Sequence, residues 1–394
     1  MDKTKQKLLG LLDKIAKEQN YVNNTVDQKE ISAEGANITS ALLLTTIRAE
    51  DKPDLKLFTK VALLNDHVRQ VTPLPCPFTT ELFFYTKLKN QYEMIEEKHN
   101  IQEDDGVRMP KLYGYHDEYL SEIVVLEDLV AQRFTNFDRQ QTAELEYVTA
   151  AIDLMAKFHA LSLAFHNEDP VSFEKASDSL AVDVSQMESL APLMLTKIKT
   201  KAIAAAAEGE NREKLEKFFD QQGSSLFDIW MDLFSKKNRN ILVHGDFKPN
   251  NLMHKRRNGK LEIALMDFQL VQNAEPLRDV LYFLITATDE AFRRSHYHAM
   301  LDLYHECLGE ALQRFQIDID TVYPESAYRE QLEKYRMVGL TIAIVALPMI
   351  LAEEEAIPDF NDDYDVTDFV VKGSQLYRER FNGVINNYKE WGLL

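Results

Sequence analysis

From Leu129 onward the chain reads as helix almost throughout, and the one break in that pattern most restricts what it can fold into. Between Asn240 and Leu270 two apolar runs, ILVHGD and KLEIALMDFQL, flank the polar string NLMHKRRNGK. Runs this short and rich in branched residues read as strands around a polar loop. Strands isolated among helices must pair to satisfy their backbone groups, so an embedded β-ribbon is expected. The runs carry Asp246 and Asp267, and the first continues as HGDFKPNN, residues 244–251. Asp, Lys, Pro and Asn are ordinary turn residues, so this string by itself can be a plain turn after a buried strand.

Upstream, residues from about 30 to 130 are strand-rich with one long helix. Residues 38–47 and 55–64 carry the Thr and branched side chains of strands, with the turn cluster RAEDKPD between them. The segment PCPFTTELFFYTKLKNQYEMIEEKHN opens on prolines and continues as helix. Thr79 or Thr80 is its expected cap, and Leu82, Tyr85, Leu88 and Tyr92 form one stripe. Short strands follow from Met109 and from Ser121, and Leu8, Leu9, Leu12 and Ile15 predict an amphipathic opening helix. Downstream, a strongly periodic helix begins at Thr142, and residues 202–207 are an Ala-rich helical piece. The apolar stretch 338–352 is interrupted by Pro348 and too short for a comfortable membrane span, so it reads as a core helix. The expected fold class is α+β. A β-rich N-terminal lobe with one long helix (1–129) precedes a mainly helical C-terminal lobe with the embedded ribbon (130–394).

Charge narrows the function. With 45 Lys and Arg against 64 Asp and Glu, the net charge is −19, which repels phosphodiester backbones and disfavours nucleic acid as a partner. A site for an anionic ligand must then rely on a few local cations or a metal. The two cysteines, Cys76 and Cys307, fit a reducing compartment and exclude a thiolate zinc site. The charged N-terminus lacks an apolar signal core, so the expected location is cytoplasmic, with no membrane and no obligate protein partner.

Asn251 and Asp267, aimed at one point, would make a site for a hard cation such as Mg2+, with phosphate oxygens and waters completing its shell. Asp246 would then remain to accept a proton from a hydroxyl nucleophile, which is the division of labour phosphoryl transfer needs. Such chemistry also needs a cation on the nucleotide phosphates. Lys60, in the strand LKLFTKVAL, and Glu81, near the start of the following helix, have the spacing of a strand-to-helix ion pair. Alone, each is ordinary solvated surface; the ordered set is specific.

Here the sequence resembles the kinase-like superfold, in the small-molecule branch with aminoglycoside phosphotransferases and choline kinases. A strand Lys, a helix Glu, H-R-D-x-x-x-x-N and D-F-G form the protein-kinase pattern. This chain has Lys60, Glu81, HGDFKPNN and DFQ. The HGD and DFQ variants, with LEDL (126–129), KFHALSLAF (157–165) and EPLRDVLYFL (275–284), look like the ecdysteroid kinase-like family. The resemblance implies ATP and Mg2+ as cofactors. Asp246 would be the catalytic base or hydroxyl-orienting group, and Asn251 and Asp267 would hold Mg2+. Lys60 would grip the α/β-phosphates, with Glu81 orienting it. Backbone groups from Glu127 to Leu129 would face adenine, and His244 would brace the loop.

Two departures stand out. The phosphate-covering hairpin should be glycine-rich, yet AEGANITS (33–40) offers only Gly35, with Asn37 and Ser40 as side-chain contacts. The family often has an aromatic two residues after the catalytic Asp, where this chain has Lys248, a match to the protein-kinase D-x-K-P-x-N; in an acidic protein it would neutralise the transferring phosphoryl group. A metal read through His244, Asp246 and His254 is disfavoured, and Asp279 reads as a buried brace of the loop. The acidic run 353–365 reads as a solvated loop that could rim the acceptor pocket. The implied activity is transfer of the ATP γ-phosphate to an alcohol group of a small-molecule acceptor, an ecdysteroid or another hydroxylated hydrophobic compound or glucoside. The alternatives are a choline- or aminoglycoside-type kinase and an inactive kinase-like binding protein. No activation segment of the protein-kinase type follows Asp267.

Overall fold

The computed structural model describes residues 2–31, 40–71, 77–181, 185–222, 228–229, 231–232, 240–353, 363–365 and 373–394. The N-terminal region is an antiparallel sheet of five strands: β1 (Thr25–Ile31), β2 (Ser40–Arg48), β3 (Leu55–Ala62), β4 (Leu112–His116) and β5 (Ile123–Glu127), in the order β1-β2-β3-β5-β4. Helix α1 (Asp2–Glu18) buries Leu8, Leu12 and Ile15 against Ile47, Leu57, Ile123 and Val125 of the sheet. Leu9, expected on that stripe, is exposed, because three residues at helical spacing already fill the contact face. Strand β1 was not anticipated; most of its residues are exposed, so it lacks the alternation that marks a half-buried strand.

The long helix starts earlier than Thr79. Helix α2 (Asp66–Val71) precedes it, and α3 (Pro77–Phe83) runs through a π-helical turn, Phe84–Leu88, into α4 (Lys89–Lys98). Pro77 opens α3, where its missing N–H costs nothing, so Thr79 and Thr80 lie inside the helix. Leu82, Tyr85, Leu88 and Tyr92 are all buried, as their stripe requires.

The C-terminal region packs around α5 (Leu145–Glu168), whose apolar window is long enough to cross a membrane but is 78% buried inside the protein. It is the central core helix. Helices α6 (Pro170–Ser179), α7 (Ser185–Ala205) and α8 (Glu210–Gln222) follow. Beyond the ribbon come α9 (Leu277–Ala287), α10 (Glu290–Arg314), α11 (Ile319–Val322), α12 (Glu325–Lys334), α13 (Val338–Val345), α14 (Leu347–Ile350) and α15 (Gln375–Glu390). The 338–352 run is thus two short helices, and Val338 to Ile344 are buried.

The ribbon exists, but with different partners. Strands β6 (Thr135–Asn136), β8 (Leu252–Arg257) and β9 (Lys260–Leu265) form one small sheet; β7 (Leu242–Val243) pairs instead with β10 (Gln272–Asn273). The expected loop NLMHKRRNGK is largely strand β8 and its turn. Asn258 and Gly259 turn the hairpin with φ of 53° and 82°, the left-handed pair an Asn-Gly hairpin demands. Asp246 and Asp267 therefore follow strands of different sheets, not neighbours in one.

Candidate active site

Lys60 lies in β3 opposite Val124 of β5, with 7% of its surface exposed. Its Nζ donates to Glu81 Oε1 (2.8 Å) and Oε2 (3.1 Å) and to Asp267 Oδ1 (2.5 Å). Burial opposes a charge on Lys60, but the Asp267 and Glu81 carboxylates outweigh it and raise its pKa above the ordinary lysine value. One ammonium serves two carboxylates, and their responses diverge. For Glu81, burial and the Asp267 charge outweigh Lys60 and raise its pKa; for Asp267, Lys60 overcomes burial and lowers it.

Asp267 sits at φ 70°, a left-handed conformation that Asp tolerates better than most residues. Gln269 Nε2 donates to its Oδ2 (3.1 Å). The next residue, Phe268, is buried and stacks on Phe84 with centroids 3.6 Å apart, so the helix bearing Glu81 is clamped to the strand end bearing Asp267.

The 244–251 loop is braced from below. Gly245 has φ 84°, and a Cβ there would fall 2.0 Å from the Leu270 carbonyl oxygen, so only glycine fits. Asp279, fully buried in α9, accepts from His244 N (2.7 Å), Gly245 N (2.9 Å) and the His159 ring (3.2 Å). Burial works against its charge, but the His159 hydrogen bond and neighbouring cations hold its pKa below the usual value. Arg278 Nη2 donates to the Gly245 carbonyl (2.9 Å), and burial brings its pKa down to about 10. His244 is fully buried: its Nε2 meets the Met266 carbonyl (3.1 Å) and its Nδ1 accepts from Asp246 N (3.3 Å). Met266 N donates to Asn251 O (3.1 Å). These two bonds to Met266 set the HGDFKPNN loop beside Asp267.

Within the loop, Asp246 Oδ2 accepts from Lys248 Nζ (2.7 Å) and Asn251 Nδ2 (2.9 Å). Asn251 Nδ2 also donates to Asp246 O (2.8 Å), which commits its amide nitrogen and leaves Oδ1 as an acceptor. Tyr282, on α9, lies near the Asp246 carboxylate; burial first, then that charge, holds its phenol proton well above the ordinary range. Tyr282 and Gln269 were not singled out from sequence. Tyr282 lies three residues after Asp279, so both fall on one face of α9, and that spacing is the signal that would have found it.

The structure thus brings together Lys60, Glu81, Asp246, Lys248, Asn251 and Asp267. Glu127 ends β5 opposite Leu57, and its carboxylate takes Arg108 (2.9 Å) and Lys111 N (3.1 Å). Leu129, nearly buried, starts a short 3-10 turn in which its carbonyl accepts from Gln132 N and Phe134 N. Ser40 is buried at the start of β2, opposite Ala62, while Gly35 and Asn37 lie outside the described residues. The acidic run is described only at residues 353 and 363–365. His254 is on β8, 3.4 Å from Thr135 Oγ1, and among the described residues no cluster of three His, Cys, Asp or Glu could hold a metal. Asn251 and Asp267 do fit a Mg2+ that arrives with phosphate, because that ion keeps waters and takes only one or two protein oxygens.

A model of the ecdysteroid kinase-like family matches residues 34–317. The chain belongs to that family. Membership supports a small-molecule phosphotransferase, that is, a kinase. This ecdysteroid kinase-like chain is also similar to solved small-molecule kinases. An ethanolamine kinase from Plasmodium vivax shares 11% identity over 95% of this chain and 85% of its own, with a TM-score of 0.42. A microcompartment-associated aminopropanol kinase shares 12% over 97% and 98%, with a TM-score of 0.39. An aminoglycoside 2′-phosphotransferase in complex with GDP shares 13% over 83% and 93%, with a TM-score of 0.35. Values this low say nothing about the acceptor of the family member described here. No curated protein matches the chain.

Proposed function

We propose that the protein is an ATP- and Mg2+-dependent kinase that phosphorylates an alcohol group of a small apolar acceptor, an ecdysteroid or another hydroxylated hydrophobic compound or glucoside. The observation that carries this reading is the single Lys60 ammonium held between Glu81 and Asp267, beside a loop that presents Asp246, Lys248 and Asn251. Nucleotide would occupy the N-terminal lobe, 1–129, and acceptor the helical lobe, 130–394, in a cytoplasmic enzyme.

Asn251 and Asp267 are the residues that would hold Mg2+, which when bound would neutralise charge on the phosphates. Lys60, kept charged by its two carboxylates, binds the α/β-phosphates. The acceptor hydroxyl oxygen forms a bond to the γ-phosphorus as the bond to the β,γ-bridging oxygen breaks, and ADP leaves with that electron pair. Asp246 takes the hydroxyl proton. Lys248, 2.7 Å from the same carboxylate, offsets charge on the moving phosphoryl group and keeps Asp246 in place.

The test is ATP consumption measured against steroids, glucosides, amino alcohols and aminoglycosides, with product mass. A phosphorylated steroid or glucoside is the expected product. A phosphorylated amino alcohol or aminoglycoside would move the acceptor to the choline-like class. Failure to bind Mg2+-ATP would leave an inactive kinase-like binding protein and end the kinase reading.

A further inference from the structure

A chain of buried polar side chains crosses three helices and ends under the 244–251 loop. Tyr304 on α10, His159 on α5 and Asp279 on α9 are each 0% exposed. The Tyr304 hydroxyl lies 2.8 Å from His159 Nδ1, and His159 Nε2 lies 3.2 Å from Asp279 Oδ2. Asp279 accepts in turn from the backbone N–H groups of His244 (2.7 Å) and Gly245 (2.9 Å), the two residues before Asp246. Asp279 braces the loop directly, whereas Tyr304 reaches it through the two side chains between.

The chemistry of the three groups sets the direction of their bonds. The Asp279 carboxylate offers only acceptors, so the His159 nitrogen that faces it, Nε2, carries a proton. Nδ1 is left to the Tyr304 hydroxyl, which can donate to a neutral ring or accept from a charged one. In both cases the ring is gripped at two nitrogens, which fixes its rotation as well as the proton on Nε2. With Nδ1 unpaired, a buried ring nitrogen would favour any rotation that finds it a partner, and Asp279 would lose a donor held in place.

The Tyr304 ring is anchored independently of its oxygen. It meets the His159 ring edge-on at 5.7 Å and lies 6.1 Å from the Tyr328 ring, whose own O–H donates to the Leu301 carbonyl (2.7 Å). Burial keeps the Tyr304 phenol proton well above the ordinary range, so the hydroxyl stays intact. A phenylalanine in its place would keep the ring contacts and lose the bond to His159.

We propose that Tyr304 is a positioning residue of the active site: its hydroxyl fixes the His159 ring, the ring completes the hydrogen bonding of Asp279, and Asp279 sets the His244–Gly245 backbone that carries Asp246. The consequence for phosphoryl transfer rests on the kinase reading; the consequence for the loop backbone does not.

Tyr304→Phe in the full-length protein tests this with two readouts. Hydrogen exchange followed by NMR should show the His244 and Gly245 amides exchanging about tenfold faster, with core amides of α5 such as Met155 little changed. In turnover, kcat should fall about ten- to a hundredfold with KM for ATP unchanged, because the chain of bonds ends on the loop and not on Lys60 or Glu81. His159→Gln, which keeps one N–H and one acceptor oxygen, should retain most of the kcat that His159→Leu loses. In the His159→Leu background Tyr304→Phe should cost nothing further, since the hydroxyl acts through the ring. Unchanged exchange at His244 and Gly245, or a uniform loss of protection with kcat intact, would overturn the proposal. Absence of turnover in the wild type would instead end the kinase reading, and the exchange rates would still decide what the hydroxyl holds.

Discussion

Asp267 approaches Lys60 at 2.5 Å, closer than Glu81 does, so the ammonium is shared between a helix and a strand end that come from opposite sides of the cleft. This arrangement is stable because three charges sum to only −1 in a buried place, and Gln269 and the Phe84–Phe268 stack fix the geometry of Asp267. On the proposed reading, Asp267 would have to leave Lys60 to hold a Mg2+, and nucleotide phosphate oxygens would take its place on the ammonium.

Removal of the cation should therefore cost more stability than removal of either carboxylate. Lys60→Met leaves the buried Glu81 carboxylate without its cation and Asp267 with only the Gln269 amide, a loss of about 3 kcal/mol. Glu81→Gln leaves a matched Lys60–Asp267 pair and should cost about 1 kcal/mol or less. Urea denaturation of the two variants orders them, and equal losses would contradict the shared-ammonium picture. Both variants should lose most turnover.

Asp246 and Lys248 separate in kinetics. Asp246→Asn should lower kcat by about a hundred- to ten-thousandfold, the range of a lost general base, with nucleotide affinity little changed. Lys248→Met should lower kcat by about a hundredfold, and Lys248→Arg should restore part of it, since the charge rather than the shape matters there. An Asp246→Asn enzyme with full activity would remove Asp246 from the mechanism.

How much of this was legible in the sequence depends on how local the signal was. Asp246, Asn251 and Asp267 stand next to strand ends that apolar patterning marks, while Lys60 lies within a strand and Glu81 within a helix; it was their order along the chain, matching the kinase-like pattern, that let their convergence be anticipated. The pairing of the ribbon could not: β7 and β10 are two residues each, too short for any alternation, and their bond is set by long-range packing. The Asn258-Gly259 turn was a readable signal that the basic composition of HKRRNGK obscured. Gln269 carries no type-specific signature, and Tyr282 had only its helical spacing from Asp279; the fold brings them beside Asp267 and Asp246. The hairpin residues Gly35 and Asn37 lie outside the described residues, so the phosphate-covering contacts stay a sequence expectation.

Asp279 holds the loop without taking part in chemistry. Its two oxygens receive two backbone N–H groups and the His159 ring. In Asp279→Asn the amide nitrogen must face at least one of these donors, leaving buried groups unpaired. The expected cost is about 3 kcal/mol, together with a kcat loss at least as large as that of Lys248→Met. A variant that stays as stable and as active as the wild type would show that the loop is held by Arg278 and His244 alone.

His244 gives the protein a pH dependence of stability whose sign follows from its bonds. The ring satisfies both nitrogens while neutral: Nε2–H donates to Met266 O, and Nδ1 accepts from Asp246 N–H. Protonation would set a second N–H against that donor, and burial, the largest influence, lowers the His244 pKa below 6.5. In the unfolded chain the ring takes a proton near pH 6.5, so below that value the unfolded state binds more protons. The stabilisation is therefore complete above about pH 6.5 and declines as pH falls through it, by up to about 1.4 kcal/mol per pH unit. His166 and His254, both lowered but partly exposed, add smaller slopes of the same sign. Glu96, raised by burial, works the other way at lower pH. Urea midpoints measured from about pH 7.5 to 5 should fall for the wild type and flatten in His244→Gln. In the wild type, the His244 ring should titrate by NMR with a midpoint below 6.5; a midpoint at or above 6.5 would show that the buried neutral ring is wrong.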